Sequence, residues 1–283
     1  PDGFCWEWVR ELIATDCSGN TQKVTVTVCI PNCPSEFNTL GQGGWAAPVV
    51  ATRDPNMSTD KINGVMIDPV VSQLLDGNTV VIGKLGQNYM KVNPGEGKYL
   101  RLVLPAAGPA VPLPAGTAIE TCHDMVAMQP ILNGGRFNNV LIGEVLAMEL
   151  NLRLNKGGDT LINEYLHELG NMSLTSTWCS ISRAIMFACF NLTDPAQANA
   201  FFASVTPRQG QIPQTVLDAL ALNSLPSTVY GLRDLAQCFL AGDNVGVSGD
   251  DLALALSEVN TGFEGSYCLI NSKLCECLTA SDL

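Results

Sequence analysis

Residues 23–30 alternate strictly between polar and apolar positions, a pattern typical of a half-buried β-strand. Residues 23–30 run Lys-Val-Thr-Val-Thr-Val-Cys-Ile. One face of this predicted strand carries four β-branched residues, because successive residues point to opposite faces of a sheet. They are Val24, Val26, Val28 and Ile30.

The stretch 5–13 suits either a strand or a short helix. A turn-forming cluster at 16–20 separates it from the strand at 23–30, and this arrangement favours a β-hairpin. Trp6 and Trp8 share one face of the first strand if it is extended. Because a two-stranded hairpin is only marginally stable alone, we expect residues 1–35 to form an arm that docks on the body or on a neighbouring molecule.

Residues 36–136 are rich in glycine and proline and predict short strands between irregular loops. The apolar runs at 79–83 and 99–104 are the clearest predicted strands. The prolines at 105, 109, 112 and 114 predict a stiff loop over 105–114, because that stretch can form neither a helix nor a central strand.

Helical periodicity begins near residue 137 and predicts a bundle over 137–283. Two adjacent apolar faces over 141–154 predict a helix buried on most sides. Further helices are predicted at 161–169, after 194, at 213–222, at 229–240 and at 252–259, with Ser248 capping the last. The predicted fold class is therefore α+β: an arm at 1–35 and one disulfide-stabilised body at 36–283.

Charge and length exclude several classes of partner. The chain has 15 Lys and Arg against 27 Asp and Glu, a formal net charge of -12. No basic surplus exists to replace counterions on nucleic acid or to attract an anionic membrane surface. No apolar run approaches the roughly 20 residues of a membrane-spanning helix, so membrane insertion is not expected.

Eleven cysteines predict an oxidising, extracellular location. We expect them to form structural disulfides, and the odd count leaves one thiol that is either reduced or paired with another molecule. The candidates are Cys5, Cys17, Cys29, Cys33, Cys122, Cys179, Cys189, Cys238, Cys268, Cys275 and Cys277.

Histidine is scarce, with only His123 and His167, which removes most metal and acid–base chemistry, and no cofactor is predicted. His167-Glu168 lacks the second histidine of a zinc helix, because position 171 is Asn171. Asp243, Asp250 and Asp251 form an acidic stretch with oxygen ligands suited to calcium, but its spacing matches no known calcium loop.

Three regions of the chain resemble a class of uncharacterised secreted proteins from Bacteroidota-like bacteria that export through type IX secretion. The stretch 40–48, Leu-Gly-Gln-Gly-Gly-Trp-Ala-Ala-Pro, resembles their Thr-Gln-Gly-Gly-Trp-Gly motif, with departures at Gly41 and Ala46. The segment 139–151 resembles a second block of that class, and 229–240 with 252–265 resembles its closing helix pair. The resemblance implies export to the cell surface or medium as a mature, processed chain. Residues 159–161 also resemble the O-glycosylation signal of such bacteria, which makes Thr160 a glycosylation candidate.

Three functions are consistent with these observations. The first is a non-enzymatic extracellular structural protein that polymerises with itself into a filament, sheath or surface layer, linked by strand addition through the arm. The second is a module that binds carbohydrates or surface glycans through Trp6, Trp8, Trp45 and Trp178. The third is a secreted hydrolase using carboxylates such as Glu144, Glu149 and Glu164, although the first two, five apart, do not share a helix face.

Overall fold

The structure, a computed structural model, combines helices with small β-sheets and confirms the α+β class. It describes residues 5–15, 21–31, 36–37, 39–47, 49–53, 62–66, 71, 74–75, 77–122, 124, 132–133, 135–155, 168–182, 208–264 and 267–270. The predicted helices at 161–169 and after 194 lie mainly or wholly outside these residues.

The described strands have the following bounds: β1 Cys5–Thr15, β2 Thr21–Pro31, β3 Glu36–Phe37, β4 Val49–Arg53, β5 Ile62–Met66, β6 Val80–Gly83, β7 Tyr89–Val92, β8 Ala118–Ile119, β9 Leu132–Asn133, β10 Arg136–Phe137, β11 Thr177–Ser182, β12 Arg208–Gln211 and β13 Tyr267–Ile270. The described helices are α1 Gln42–Ala46, α2 Gly97–Val103, α3 Val140–Leu154, α4 Gln214–Leu222, α5 Val229–Ala241 and α6 Gly249–Gly262. None of these helices is long and apolar enough to cross a bilayer.

The predicted hairpin is confirmed: β1 and β2 pair antiparallel along their whole length. Among the strands that the structure describes, they form a two-stranded sheet of their own. The register pairs Trp6 with Ile30 and Trp8 with Val28. Directly paired residues lie on the same face of an antiparallel ladder, so the two apolar sets seen in the sequence fall on one face of the hairpin.

Helix α3 is the central element of the body. It is buried on nearly all sides, as its two adjacent apolar faces predict, and α1, α5 and α6 pack against it. Asn139 caps its first turn by accepting a hydrogen bond from the amide of Leu141. A mixed three-stranded sheet, in the order β6-β7-β8, lies beside α3 and α5.

The segment 99–104 is a helix, so the strand predicted there is wrong. Leu100, Val103 and Leu104 are buried, whereas Leu102 is 53% exposed. Burial at positions i, i+3 and i+4 is the helical period. The run is short and almost wholly apolar, so its pattern fits the two-residue period of a strand as well as the 3.6-residue period of a helix.

The second half of the chain is not only a helical bundle. Helices α3 to α6 are present where they were predicted, but β11, β12 and β13 also belong to it. These strands join β3 in a four-stranded sheet of order β12-β11-β13-β3. The pairing of β3 with β13 ties residues 36–37, just beyond the hairpin, to the far end of the chain.

Candidate functional site

The most organised polar cluster in the described residues is a buried network between α1, α3 and α6. Its side chains come from Gln42 and Trp45 on α1, Glu144 and Asn151 on α3, and Asn260 on α6. Gln42 and Trp45 are three apart and therefore share one face of their short helix, which is buried.

Asn151 is fully buried and uses both ends of its amide. Its Oδ1 accepts from the backbone amide of Leu40 at 2.9 Å and from Nε1 of Trp45 at 3.2 Å. Its Nδ2 donates to the carbonyl of Leu40 and to Oδ1 of Asn260, both at 2.9 Å. A buried amide costs little only when its donors and acceptors are paired, as they are here.

Glu144 is the only acid of this network, and its carboxylate is met by amide donors. Oε1 accepts from Nε2 of Gln42 at 2.8 Å, and Oε2 accepts from Nδ2 of Asn260 at 2.7 Å. Burial raises the pKa of Glu144, while its hydrogen bonds with Asn260, Gln42 and Ser257 act in the opposite direction.

The orientation of both amides is set by the donors that meet their oxygens. The backbone amide of Ala106 donates to Oε1 of Gln42 at 2.7 Å, so Nε2 of Gln42 must face Glu144. On the other side, Asn151 donates to Oδ1 of Asn260, which leaves Nδ2 of Asn260 for the carboxylate. The network therefore supplies donors to both oxygens of Glu144.

This network joins three separated stretches of the sequence. Gln42 and Trp45 belong to the Gly-Gln-Gly-Gly-Trp motif, Glu144 and Asn151 to the segment 139–151, and Asn260 to the closing helix. The sequence did not predict the network itself. Its one visible sign was the presence of Asn151 and Asn260 within otherwise apolar helical faces.

Glu149 belongs to a second, separate cluster, which confirms that it does not share a face with Glu144. Nε2 of Gln237 donates to Oε1 of Glu149 at 3.1 Å, and Nε of Arg233 lies 3.8 Å from the same oxygen. Burial raises the pKa of Glu149, and the nearby Arg233 lowers it less strongly. Gln237 also bonds β6, by donating to the carbonyl of Val81 at 2.8 Å and accepting from the amide of Gly83 at 2.5 Å.

Tyr230 extends this second cluster to the surface. Its hydroxyl donates to Oε1 of Glu168 at 2.8 Å, and the guanidinium carbon of Arg233 lies 5.1 Å from its ring centre. Burial, together with the bond to Glu168, raises the pKa of Tyr230 to about 12. The hydroxyl is thus a neutral donor at physiological pH.

The three aspartates proposed for calcium have other roles in the structure. Asp243 pairs with Lys84, with Nζ 2.6 Å from Oδ2, which lowers the pKa of Asp243 and raises that of Lys84. Asp250 and Asp251 lie in the first turn of α6, where Oγ1 of Thr215 donates to Asp251. Among the described residues, no three His, Cys, Asp or Glu side chains are grouped to hold a metal ion.

Ser248 caps α6 as predicted, since its hydroxyl accepts from the backbone amide of Asp251 at 3.1 Å. An acidic first turn stabilises the positive end of a helix dipole. The acidic stretch is therefore explained as a helix start and a surface ion pair, and the calcium hypothesis has no support here.

Two of the eleven cysteines are free thiols, in contrast to the disulfides predicted for them: Cys122 and Cys238. Cys122 is fully buried, and burial raises the pKa of its thiol to about 12. Cys238 is partly exposed on α5. The side chains of the other nine lie outside the described part of the structure, so their pairing stays a prediction.

The remaining predicted site residues divide into three groups. Trp45 is fully buried and bonded to Asn151, so it is not available to stack on a sugar. The backbone places Trp6, Trp8, Val24, Val26, Val28 and Ile30 in the hairpin and Trp178 in β11, without describing their side chains. Thr160, Glu164 and His167 lie outside the described residues.

Comparison of the chain with protein-family models, with curated proteins and with solved structures finds no match. The Gln42–Glu144–Asn260–Asn151 network is a means of locking three helices together: its amides are satisfied by one another and by backbone groups. A fully paired network of this kind specifies a single packing arrangement.

Proposed function

We propose that this protein is an extracellular structural subunit that assembles with copies of itself through its N-terminal hairpin. The observation that carries the proposal is the two-stranded sheet of β1 and β2, each of 11 residues, which pairs with no third strand among those described. Strands usually have about five or six residues, and a lone hairpin is marginal in water. So long a hairpin needs a covering surface, and a neighbouring subunit supplies one.

The rest of the chain is consistent with a scaffold. Its most elaborate polar cluster is buried and serves packing. A net charge of -12 keeps such a subunit soluble before assembly. Cysteine-rich composition suits a protein that must last outside the cell.

A side chain of the body also blocks the free edge of one of its own sheets. At the outer edge of β6, Gln237 bonds the carbonyl of Val81 and the amide of Gly83. Covering an edge in this way prevents unwanted pairing there. Self-association through strands is then confined to other places, of which the hairpin is the longest described.

Electron microscopy of the native protein, without reductant or denaturant, tests the proposal. Regular filaments or sheets built from this chain are the expected result, and dispersed particles at all concentrations would overturn it. Removal of residues 1–31 should abolish polymers while the protein keeps its helical circular dichroism. An equally regular polymer without the hairpin would exclude assembly through it.

A further inference from the structure

We infer that copies of this protein join in a fixed register, in which the outer edge of β2 pairs antiparallel with the outer edge of β1 in the next copy, an inference that rests on the proposed function. In this register Lys23 lies opposite Glu11 of the next copy, and Cys29 lies opposite Cys5 of the next copy. A disulfide between these two cysteines then makes the contact covalent.

Both outer edges of the hairpin can accept a further strand, because β1 and β2 pair with each other and with no other strand that the structure describes. The backbone groups along such an edge can hydrogen-bond a strand of another molecule. Since β1 and β2 are antiparallel, a second copy in the same orientation presents its β1 antiparallel to β2 of the first. Edge pairing between equally oriented copies therefore extends one antiparallel sheet from hairpin to hairpin.

The alternating sequence pattern restricts the register of this contact. Directly paired positions lie on the same face of an antiparallel ladder, and a slip of one residue exchanges the two faces. A sheet that continues from copy to copy keeps its faces only when the slip is an even number of residues. The register between copies can therefore differ from the register within the hairpin in steps of two residues.

A slip of two residues brings opposite charges together. Within the hairpin Lys23 pairs with Ile13, and Glu11 pairs with Thr25. When the next copy is shifted by two residues, Lys23 lies opposite its Glu11, whereas a shift in the other direction places Lys23 opposite Thr15. Lys23 is the one charged residue in the sequence of β2. Opposite charges at directly paired positions stabilise a ladder, so the charges favour the first of these registers.

The same slip places two cysteines opposite each other. Within one hairpin Cys29 pairs with Glu7 and Cys5 pairs with Pro31, so the two cysteines are diagonal neighbours. Diagonal positions are about 7–8 Å apart, beyond the Cα separation of about 4.4–6.8 Å that a disulfide spans. Directly opposite positions are about 4.5–5.5 Å apart, which is within that range. Backbone geometry therefore favours this disulfide between two copies and disfavours it within one.

The disulfide forms by exchange with a small-molecule disulfide, which is the oxidant of the step. The thiolate of one cysteine attacks the small disulfide and releases one small thiol. The thiolate of the other cysteine then attacks the mixed disulfide and releases the second small thiol. Two S–H bonds of the protein are replaced by one S–S bond between copies, and the two protons end on the released thiols.

The outer edges of β1 and β2 are different surfaces, so the contact is head-to-tail. Each added copy uses one edge and presents the other, and the series stays open unless the rotation between copies closes a ring. The slip of two residues shifts each hairpin by about 7 Å along the strand direction relative to the preceding one. One repeated contact is therefore sufficient to build a staggered filament.

Two cysteine variants test the register by complementation. The wild-type protein with oxidised glutathione should give a ladder of disulfide-linked oligomers on a non-reducing gel, with Cys5 joined to Cys29 in the peptide map. Cys5→Ser and Cys29→Ser should each give no ladder alone. Their mixture should give a one-to-one linked dimer, because one complementary pair of thiols remains. Cys238→Ser, which removes a free thiol of the body, is the matched control and should keep the ladder.

Charge reversal tests the same register in reduced protein, where no disulfide holds the copies together. Glu11→Lys should raise the concentration needed for polymers several-fold, because two lysines then lie opposite each other. Glu11→Lys combined with Lys23→Glu should return that concentration to the wild-type value. Glu7→Lys makes the same change in net charge at a position opposite Thr27, and its effect should be small. Circular dichroism checks that each variant is folded.

The outcomes separate this inference from the proposed function. A wild-type protein that stays monomeric with and without the oxidant would overturn both. Polymers whose cysteine variants form no linked dimer when mixed would overturn the inference alone. So would polymers that are more sensitive to Glu7→Lys than to Glu11→Lys, or a dimer linked from Cys29 to Cys29, which would show a two-fold contact.

Discussion

Nε2 of Gln42 donates a hydrogen bond to Oε1 of Glu144 at 2.8 Å, although 102 positions separate the two residues. Gln42 is itself held by the amide of Ala106, and Asn260 donates to the other oxygen of Glu144. The carboxylate is thus an acceptor on both sides, in a region where burial removes water as a substitute partner.

Glu144→Gln should destabilise the protein by about 1–3 kcal/mol, despite its nearly unchanged shape. One oxygen becomes an NH₂ group that faces the donor of Gln42 or Asn260, and neither donor can reverse without losing its own partner. Urea unfolding measures the effect. Glu258→Gln is the control, because the bond that Glu258 accepts among the described residues is an exposed one, from the amide of Gln211, and its change should remain within about 0.5 kcal/mol.

Gly143→Ala should destabilise the protein, although the same change in an ordinary helix stabilises by about 1 kcal/mol. A Cβ at Gly143 would overlap Oε1 of Gln42 and the Cβ of Ala106. The overlap should cost about 1–3 kcal/mol, as in other overpacked cores. Gly43→Ala in α1 is the matched control, since no atom lies within 4 Å of its Cβ position. A stabilised Gly143→Ala protein would show that Gln42 is not tightly held.

Asn151→Leu should destabilise by about 2–4 kcal/mol, because Leu40, Trp45 and Asn260 lose buried partners that are each worth about 1–3 kcal/mol. Thermal unfolding followed by circular dichroism measures the loss. Asn244→Ala removes an exposed bond from the amide of Gly246, the one side-chain bond of Asn244 among the described residues, and should change stability little. Equal effects of the two substitutions would contradict the structural importance of the network.

Glu149 should make stability depend on pH. Its folded pKa is raised above the ordinary 4.5, so the fold favours the protonated form. That contribution is fully present below the unfolded pKa and is lost as pH rises through the folded pKa. Glutamine mimics the protonated form and does not titrate. The free energy of unfolding of Glu149→Gln, relative to wild type, should therefore rise between pH 4 and pH 8. A difference between the two proteins that does not change with pH would contradict a raised folded-state pKa of Glu149.

The two free thiols should differ in reactivity. Cys122 is fully buried, and its pKa of about 12 leaves almost no thiolate, whereas Cys238 is partly exposed. Alkylation of the native protein followed by peptide mass mapping should label Cys238 and spare Cys122. Denaturant should then expose Cys122 to the reagent. Rapid native labelling of Cys122 would place it at the surface.

The sequence predicted those helices and strands whose signal lies within a short stretch of neighbouring residues. Strict alternation over 23–30 predicted β2, and the turn cluster before it predicted the hairpin. Two apolar faces predicted α3 and its burial, and the cap at Ser248 predicted the start of α6. In each case the periodic pattern or the helix cap can be recognised from a short continuous segment of the sequence.

Elements without one clear period were mistaken or missed. The short apolar run at 99–104 suits a strand and a helix equally, and packing of Leu100, Val103 and Leu104 into the core decided for the helix. Strands β11 and β13 depend on each other through pairing between positions 177–182 and 267–270, which no local window contains.

The composition and periodicity of the sequence by themselves determined an acidic α+β chain with a β-hairpin at its start and helices in its second half. Only the tertiary structure decided that Gln42, Glu144, Asn151 and Asn260 form one buried network. The physical reason is the sequence distance between the interacting residues. The apolar period of a helix or strand is visible within a few neighbouring residues. A buried hydrogen bond depends on which distant donor and acceptor the packing brings within about 3 Å of each other.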